Sequence, residues 1–167
     1  MEREAFAERP NMTTIETRRS MSGIEYFKRM LAGEYQPPPM LQLLGIHMIE
    51  AEVGRVVFAA TVDERVYNGT GVAHGGFAAT LLDTALGCAI NTTTPPGKRF
   101  TTLELKVNLT RPLTIAAGEV RCEGVAVHVG KQTATAEARI VDRNGKLYAH
   151  GSTTCIAIDM GEGTPNG

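Results

Sequence analysis

The chain has no excess of charge of either sign. Its 167 residues include 17 Lys and Arg against 18 Asp and Glu, which leaves a formal net charge of -1. A balance this close creates no general electrostatic field that would attract nucleic acid or an anionic membrane surface. Any anion that the protein binds must therefore be held by a local arrangement of residues.

Cysteine is scarce, and long apolar runs are missing. Cys88, Cys122 and Cys155 are odd in number and widely spaced, which argues against a disulfide framework and matches no metal-ligand spacing. No stretch approaches the roughly 20 apolar residues that a membrane helix needs, and residues 1–20 are too charged for a signal peptide. We expect a cytoplasmic protein whose cysteines are buried thiols.

The length is that of one domain. Residues 1–21 show no hydrophobic periodicity and are expected to be a flexible tail, followed by a single folded domain over 22–160 and a second tail over 161–167. Apolar residues recur at helical spacing from Ser22 to about Ala32, which predicts a short amphipathic helix with Ser22 as its N-cap.

Strand patterns occur in two groups. Residues 46–52 and 55–62 come first, separated by a turn at Gly54. The later group begins with alternating apolar residues at Leu103, Leu105, Val107 and Leu109, and continues at 119–129, 132–141 and 147–158. Consecutive hairpins build an antiparallel sheet.

Between the two groups, residues 68–87 join a glycine-rich turn to an apolar helix predicted over Gly75–Asn91. A helix that is apolar on most sides is normally buried, so an α+β layer is expected, with the sheet wrapped around the helix. The face predicted to lie on the sheet contains Ala78, Leu81, Ala85 and Cys88. The opposite face is centred on Asp83 and contains Gly76, Ala79, Thr80, Gly87 and Ile90.

Asp83 stands where an apolar side chain is expected. An unpaired buried carboxylate is costly, so such a group usually finds a partner or takes up a proton. Asp83 is therefore either a functional group or a structural one that faces solvent or pairs with a cation from elsewhere in the core.

The first turn of this helix holds Gly75 and Gly76, whose amides have no partner within a helix. Such an amide can polarise a carbonyl oxygen, or glycine can simply be a serviceable helix start. His74 can likewise fix the loop or act as a base. Gly75 and Asp83 are eight residues apart, which is about 12 Å along a helix. If both act on one carbonyl, Asp83 must come from a second subunit and the function requires a dimer.

One group of residues carries a family resemblance, namely Asn68, His74-Gly75-Gly76, Leu82-Asp83 and Gly87. Together they resemble the motif of the hotdog-fold acyl-CoA thioesterases, in the PaaI-like branch of the 4-hydroxybenzoyl-CoA thioesterase superfamily. The similarity runs from about Ile24 to Ile158. It implies a hotdog fold, here with an extra N-terminal helix, and hydrolysis of acyl-CoA without metal or organic cofactor. It also implies homodimers that often pair into homotetramers.

The resemblance also implies roles for single residues. The Gly75 amide would polarise the thioester carbonyl, Asp83 of the facing subunit would be nucleophile or general base, and Asn68 would position the water or the carbonyl. Thr102 matches a hydroxyl residue that helps to hold the water in relatives, although strand alternation favours Thr101. His74 completes the catalytic set, and the implied substrate-binding residues are Gly76, Arg111, His128, Gly130 and Lys131. Gly69 departs from the family, which commonly has proline there.

Other functions stay open on the sequence alone. A non-catalytic acyl-CoA binder on the same fold would not need both Asp83 and Asn68, and a hotdog dehydratase usually wants a His and a Glu in its site. Five Phe, four Tyr and no Trp do not identify the acyl group, so an aryl-acetyl and a medium-chain fatty-acyl group are both compatible with the sequence.

Overall fold

A computed structural model describes residues 13–161, and the outer parts of both expected tails, residues 1–12 and 162–167, lie outside the described residues. The helices are α1 (Ile15–Ser20), α2 (Gly23–Leu31), α3 (Pro39–Leu43) and α4 (Gly75–Asn91). The strands are β1 (Ile46–Glu52), β2 (Arg55–Thr61), β3 (Lys98–Leu109), β4 (Glu119–Val129), β5 (Thr133–Asp142) and β6 (Leu147–Asp159).

The six strands form one sheet in the order β1-β2-β4-β5-β6-β3, and every neighbouring pair is antiparallel. Gly54 and Gly145 occupy the hairpin turns with φ of 80° and 78°, in the left-handed region that glycine tolerates. β3 and β1 are the two edges. The long helix α4 packs against this sheet, so the predicted α+β hotdog fold is confirmed.

The buried side of α4 supplies the centre of the core, through Phe77, Ala78, Leu81, Leu82, Ala85, Leu86, Ala89 and Ile90. β4 approaches the helix very closely at Gly124, where an added Cβ would lie 2.4 Å from the carbonyl oxygen of Ala85. Only glycine fits there without moving backbone. The helix was predicted over the same residues, but Ile90 is buried and Cys88 is half-buried on the open side, opposite to the expected faces.

The N-terminal region is more ordered than its composition suggests. α2 begins as predicted, because the Ser22 hydroxyl accepts a hydrogen bond from the Glu25 amide at 3.3 Å. Residues 13–20, expected to belong to the tail, contain α1 instead. The carbonyl of Arg19 accepts from the Gly97 amide at 2.9 Å, and its guanidinium donates to the Gly161 carbonyl at 3.0 Å. Such long-range contacts leave no local pattern in the sequence.

β3 departs from strict alternation at one residue. Its pairing with β6 shifts register between Thr102 and Glu104, so Leu103 is the extra residue of a β-bulge and is 62% exposed. The prediction that Leu103 faces the core is therefore wrong. Thr102, Leu105 and Val107 point towards the helix instead, since the bulge inserts two successive outward residues between Thr102 and Leu105.

Candidate active site

The start of α4 presents one free backbone donor. His74 is the N-cap, and its Nδ1 accepts a hydrogen bond from the Gly76 amide at 2.9 Å. A Cβ on Gly76 would lie 3.0 Å from that nitrogen, which explains the glycine. Among the hydrogen bonds of residues 13–161, none uses the amide of Gly75. This N–H therefore points outward at the positive end of the helix dipole, as an oxyanion donor must.

The loop before α4 fixes the orientation of Asn68. Its Oδ1 accepts from the amide of Thr70 at 2.9 Å and from the Thr70 hydroxyl at 2.8 Å. Because two donors point at Oδ1, the other end of the amide is Nδ2, which has no partner in the described part of the chain. Asn68 is half-buried and offers this donor to the space beside Gly75. The side chain thus closes the loop with Gly69 as the next residue.

Asp83 forms a second cluster further along α4. It is half-buried, and its Oδ1 accepts a hydrogen bond from the Thr102 hydroxyl at 2.9 Å. The structure thus decides between the two threonines in favour of Thr102, because the bulge at Leu103 sets which one faces inward. No ion pair among residues 13–161 includes Asp83. The alternative of a structural Asp83 paired with a core cation is therefore not seen.

Behind Thr102 lies a residue that sequence reasoning did not connect with the site. Cys155 on β6 is the cross-strand partner of Thr102 and is fully buried. Burial raises the pKa of the Cys155 thiol, so the thiol stays neutral and fills the space behind the Asp83 and Thr102 pair. Strand register alone connects the two residues, and no spacing in the sequence indicates it.

A cavity of about 420 Å³ lies beside the first turn of α4. Asn68, Gly75 and Arg111 line it together. The Arg111 guanidinium donates to the carbonyl of Leu147 at 2.7 Å, which anchors an exposed positive charge at the edge of the cavity. Three predicted residues therefore come together at this end of the helix.

The other implied substrate-binding residues, His128, Gly130 and Lys131, do not join them. His128 lies at the end of β4, and Gly130 and Lys131 lie in the β4–β5 turn. This turn is at the same end of the sheet as the first residues of β3, because the Ala157 amide of β6 donates to Gln132 and Ala157 pairs with Phe100. Arg111 follows the last residues of the same strand. Within one chain, the turn is thus at the Thr102 end of β3 and Arg111 is at the other.

Two exposed surfaces adjoin the Asp83 cluster. One is the open side of α4, where small residues dominate and a Cβ added at Gly87 would meet nothing within 4 Å. The other is the free edge of β3, a strand of 12 residues with Leu103 62% and Leu109 58% exposed. An unpaired edge with exposed leucines is a surface on which another strand can pair.

From residue 13 to residue 161, no three His, Cys, Asp or Glu side chains are grouped so that they could hold a metal ion. No helix in the same range is long and apolar enough to cross a membrane.

The chain is similar to known proteins in sequence and in fold. Residues 70–149 match the family described as the thioesterase superfamily. The chain is 31% identical over 107 residues to the proofreading thioesterase EntH of Klebsiella pneumoniae, covering 64% of this chain and 77% of that protein. It is 29% identical over 106 residues to the 1,4-dihydroxy-2-naphthoyl-CoA hydrolase of Listeria monocytogenes, covering 64% and 85%. The PaaI protein of the E. coli phenylacetic acid degradation operon superposes with a TM-score of 0.71 at 26% identity, covering 83% of this chain and 96% of that one.

Proposed function

The chain belongs to the thioesterase superfamily and is a thioester hydrolase, and we propose that it hydrolyses acyl-CoA at sites shared between two copies of the chain. The observation that carries the shared site is the division of the candidate residues into two clusters along α4. Gly75 begins the helix with Asn68 beside it, while Asp83 lies eight residues on, about 12 Å along the axis, with Thr102 of β3 beside it. One thioester cannot touch both clusters of the same chain.

Two copies can bring opposite clusters together. If two α4 helices lie antiparallel with their open sides in contact, Gly75 of one chain comes beside Asp83 of the partner subunit, and the reverse holds at a second, equivalent site. The small residues on that side allow a close approach of the helices. The free edge of β3 adjoins the same surface and would pair with its copy, which would cover the exposed leucines.

The proposed reaction uses each cluster for one half of the chemistry. The Gly75 amide and Nδ2 of Asn68 hold the thioester oxygen, where negative charge develops as the carbonyl carbon is attacked. Asp83 of the partner subunit attacks this carbon itself or takes a proton from an attacking water. Because the Thr102 hydroxyl donates to Asp83, its oxygen is left to accept from that water. When water attacks, the C–S bond then breaks and the thiolate takes the proton that Asp83 of the partner subunit received, which gives the free acid and CoA. When Asp83 of the partner subunit attacks, the same cleavage leaves an anhydride between the acyl group and the carboxylate, the thiolate takes a proton from solvent, and water then hydrolyses the anhydride to the free acid.

The Arg111 guanidinium and the Lys131 ammonium are proposed to meet the phosphates of CoA from different subunits. They lie at opposite ends of β3 in one chain, so the same pairing that joins Gly75 to Asp83 of the partner subunit would bring Arg111 towards Lys131 of the partner subunit. Both side chains are exposed and neither forms an ion pair among residues 13–161. Such cations are suited to phosphate groups.

A screen of aryl, short-chain and long-chain acyl-CoAs for release of the CoA thiol tests the proposed activity. We expect at least one class to be hydrolysed with kcat of about 1 to 1,000 per second, without added metal or cofactor. The matching free acid should appear in equal amount. Tight binding of acyl-CoA with no thiol release from any class would instead support a non-catalytic binder.

Mixing two inactive variants tests whether the sites are shared. Asn68→Asp keeps the oxygen that holds its loop but loses the Nδ2 donor, and Asp83→Ala loses the carboxylate. After co-refolding, half of the dimers are mixed and one of their two sites is intact, so activity should recover to about one quarter of that of the unaltered protein.

Each variant refolded with itself is the control and should stay inactive. A mixture that remains as inactive as its parents, although mass spectrometry detects mixed dimers, would show that the residues act within one chain.

A further inference from the structure

A second cavity lies between α3 and the start of α4, on a different face of the helix from Asn68. Its volume is about 400 Å³, within the range of small-molecule sites. The side chains of Met40, Leu44, Val66, Tyr67 and Phe77 form its walls. We name it the α3 cavity. These walls are mostly apolar, and the polar side chains among the described lining residues are Arg65, Tyr67, His74 and Thr80.

Two polar side chains of this cavity are already engaged away from it. The hydroxyl of Tyr67 accepts a hydrogen bond from the Ile115 amide at 2.8 Å. The guanidinium of Arg65, which is 74% exposed at the rim, is held by the carboxylate of Asp63 at 2.6 Å. The cavity therefore offers no unpaired charge to a ligand.

The polar groups on the helix side are engaged as well. The Thr80 hydroxyl donates to the carbonyl of Gly76 at 2.9 Å, and Nδ1 of His74 accepts from the Gly76 amide. Because Nδ1 is an acceptor, the neutral ring carries its proton on Nε2. Among the described residues that line the cavity, this N–H and the O–H of Tyr67, whose oxygen only accepts from Ile115, are the donors that remain for an occupant.

The cavity opens at the place where the reaction is proposed to occur. Gly76 and Thr80 line it, and both lie on the open side of α4, where Asp83 of the partner subunit would arrive. The free amide of Gly75 is one residue away. A thioester held by that amide can therefore place one of its two ends, the acyl group or the CoA group, in the α3 cavity.

Charge determines whether the acyl group or the CoA group enters the α3 cavity. CoA carries several phosphates, and Arg65, the one cation among the described residues that line the α3 cavity, is paired with Asp63. The 420 Å³ cavity that Asn68 and Gly75 line has Arg111 at its edge and more polar groups along its walls than the α3 cavity has. The CoA group is thus matched to the cavity that Asn68 lines, which leaves the α3 cavity for the acyl group.

We propose that the α3 cavity holds the acyl group of the substrate, and that this group is uncharged and mainly apolar, with polar atoms limited to acceptors for Nε2 of His74 and the O–H of Tyr67. The inference rests on the proposed acyl-CoA hydrolysis and adds to it a substrate class. Medium-chain aliphatic and simple aryl-acetyl groups fit. Acyl groups that end in a carboxylate do not, since a desolvated charge here would have no partner.

A matched pair of substrates and a matched pair of variants test this inference. Pentanoyl-CoA and succinyl-CoA have acyl groups of similar length, and the apolar one should have a kcat/KM at least about a hundredfold higher because the terminal carboxylate would be buried unpaired. From butyryl-CoA to octanoyl-CoA, kcat/KM should rise about threefold or more for each methylene.

The variants lie on the same short helix. Met40 lines the cavity and is 56% exposed, whereas Leu43 is 72% exposed and does not line it. Met40→Trp should lower kcat/KM for octanoyl-CoA and phenylacetyl-CoA by about tenfold or more by filling the space, with acetyl-CoA changed less than about twofold. Leu43→Trp should leave all three substrates unchanged.

The outcomes separate the inference from the proposed function. If the unaltered protein hydrolyses acyl-CoA but turns over succinyl-CoA as well as pentanoyl-CoA, or if Met40→Trp behaves like Leu43→Trp, the acyl group lies elsewhere and the proposed activity stands. If no acyl-CoA is hydrolysed, both fail. The substrate series on the unaltered protein decides the matter even if Met40→Trp does not fold, which circular dichroism reports.

Discussion

Replacing Asp83 with asparagine is expected to lower kcat by about a thousandfold or more, the usual contribution of a general base or nucleophile. Asparagine has nearly the same shape and can still accept the hydrogen bond from Thr102, but it can neither take a proton from water nor attack as a carboxylate. The measurement is thiol release from the best acyl-CoA under saturating conditions, with KM determined beside it.

The same change should leave the fold intact. Asp83 belongs to no ion pair among residues 13–161, so removing its charge leaves no buried cation without a partner. The thermal midpoint of Asp83→Asn should therefore equal or slightly exceed that of the unaltered protein.

Asp159→Asn is a matched control for the loss of one carboxylate. Asp159 is 83% exposed at the end of β6, with Lys98 3.9 Å away, and its replacement should leave kcat within about twofold, since exposed pairs contribute little. A folded Asp83→Asn protein with the kcat of Asp159→Asn would overturn the role assigned to Asp83.

Replacing Gly75 with proline is expected to lower kcat by about a hundredfold to a thousandfold, the usual cost of losing one oxyanion donor. Proline has no amide hydrogen, so this change removes the proposed donor to the thioester oxygen. It is well tolerated at the first position of a helix, and the ψ of 140° at His74 suits a residue that precedes proline.

Gly75→Ala is the control for the added carbon atoms. Both variants place a Cβ 2.9 Å from Cδ1 of Leu109, and the Leu109 side chain is 58% exposed and can move aside. Alanine keeps the N–H, so its kcat should fall by less than about tenfold, and the difference between the two variants isolates the hydrogen-bond donor. Equal losses in both would mean that crowding, and not the amide, accounts for the effect.

Much of the fold follows from local patterns. The bounds of α4 were predicted correctly because apolar periodicity, the glycines at its start and the Pro95-Pro96-Gly97 stretch after it all agree. Five of the six strands were predicted within one residue because each ends at a turn residue, but β3 begins at Lys98, five residues before the predicted Leu103. α3 was not predicted, because three successive prolines at 37–39 usually indicate the end of a helix, whereas Pro39 stands at the first position of a new one.

The site was less accessible to local reasoning. The motif identified Asn68, Gly75 and Asp83, and helix length alone separated Gly75 from Asp83. The choice of Thr102 over Thr101 depended on the bulge at Leu103, and alternation cannot reveal an inserted residue. The walls of the α3 cavity come from α3, the loop before α4 and α4 itself, and only the fold brings such distant segments together.

The spacing of Gly75 and Asp83 along α4 ties the proposed activity to the concentration of the protein. A single folded chain would carry a donor without its carboxylate and a carboxylate without its donor. At chain concentrations below the dissociation constant of the dimer, dilution would abolish hydrolysis while every chain stays folded. The rate of hydrolysis would fall with the square of the chain concentration. Abundance would thus act as a threshold for turnover, with no bound regulator and no change in the structure of either chain.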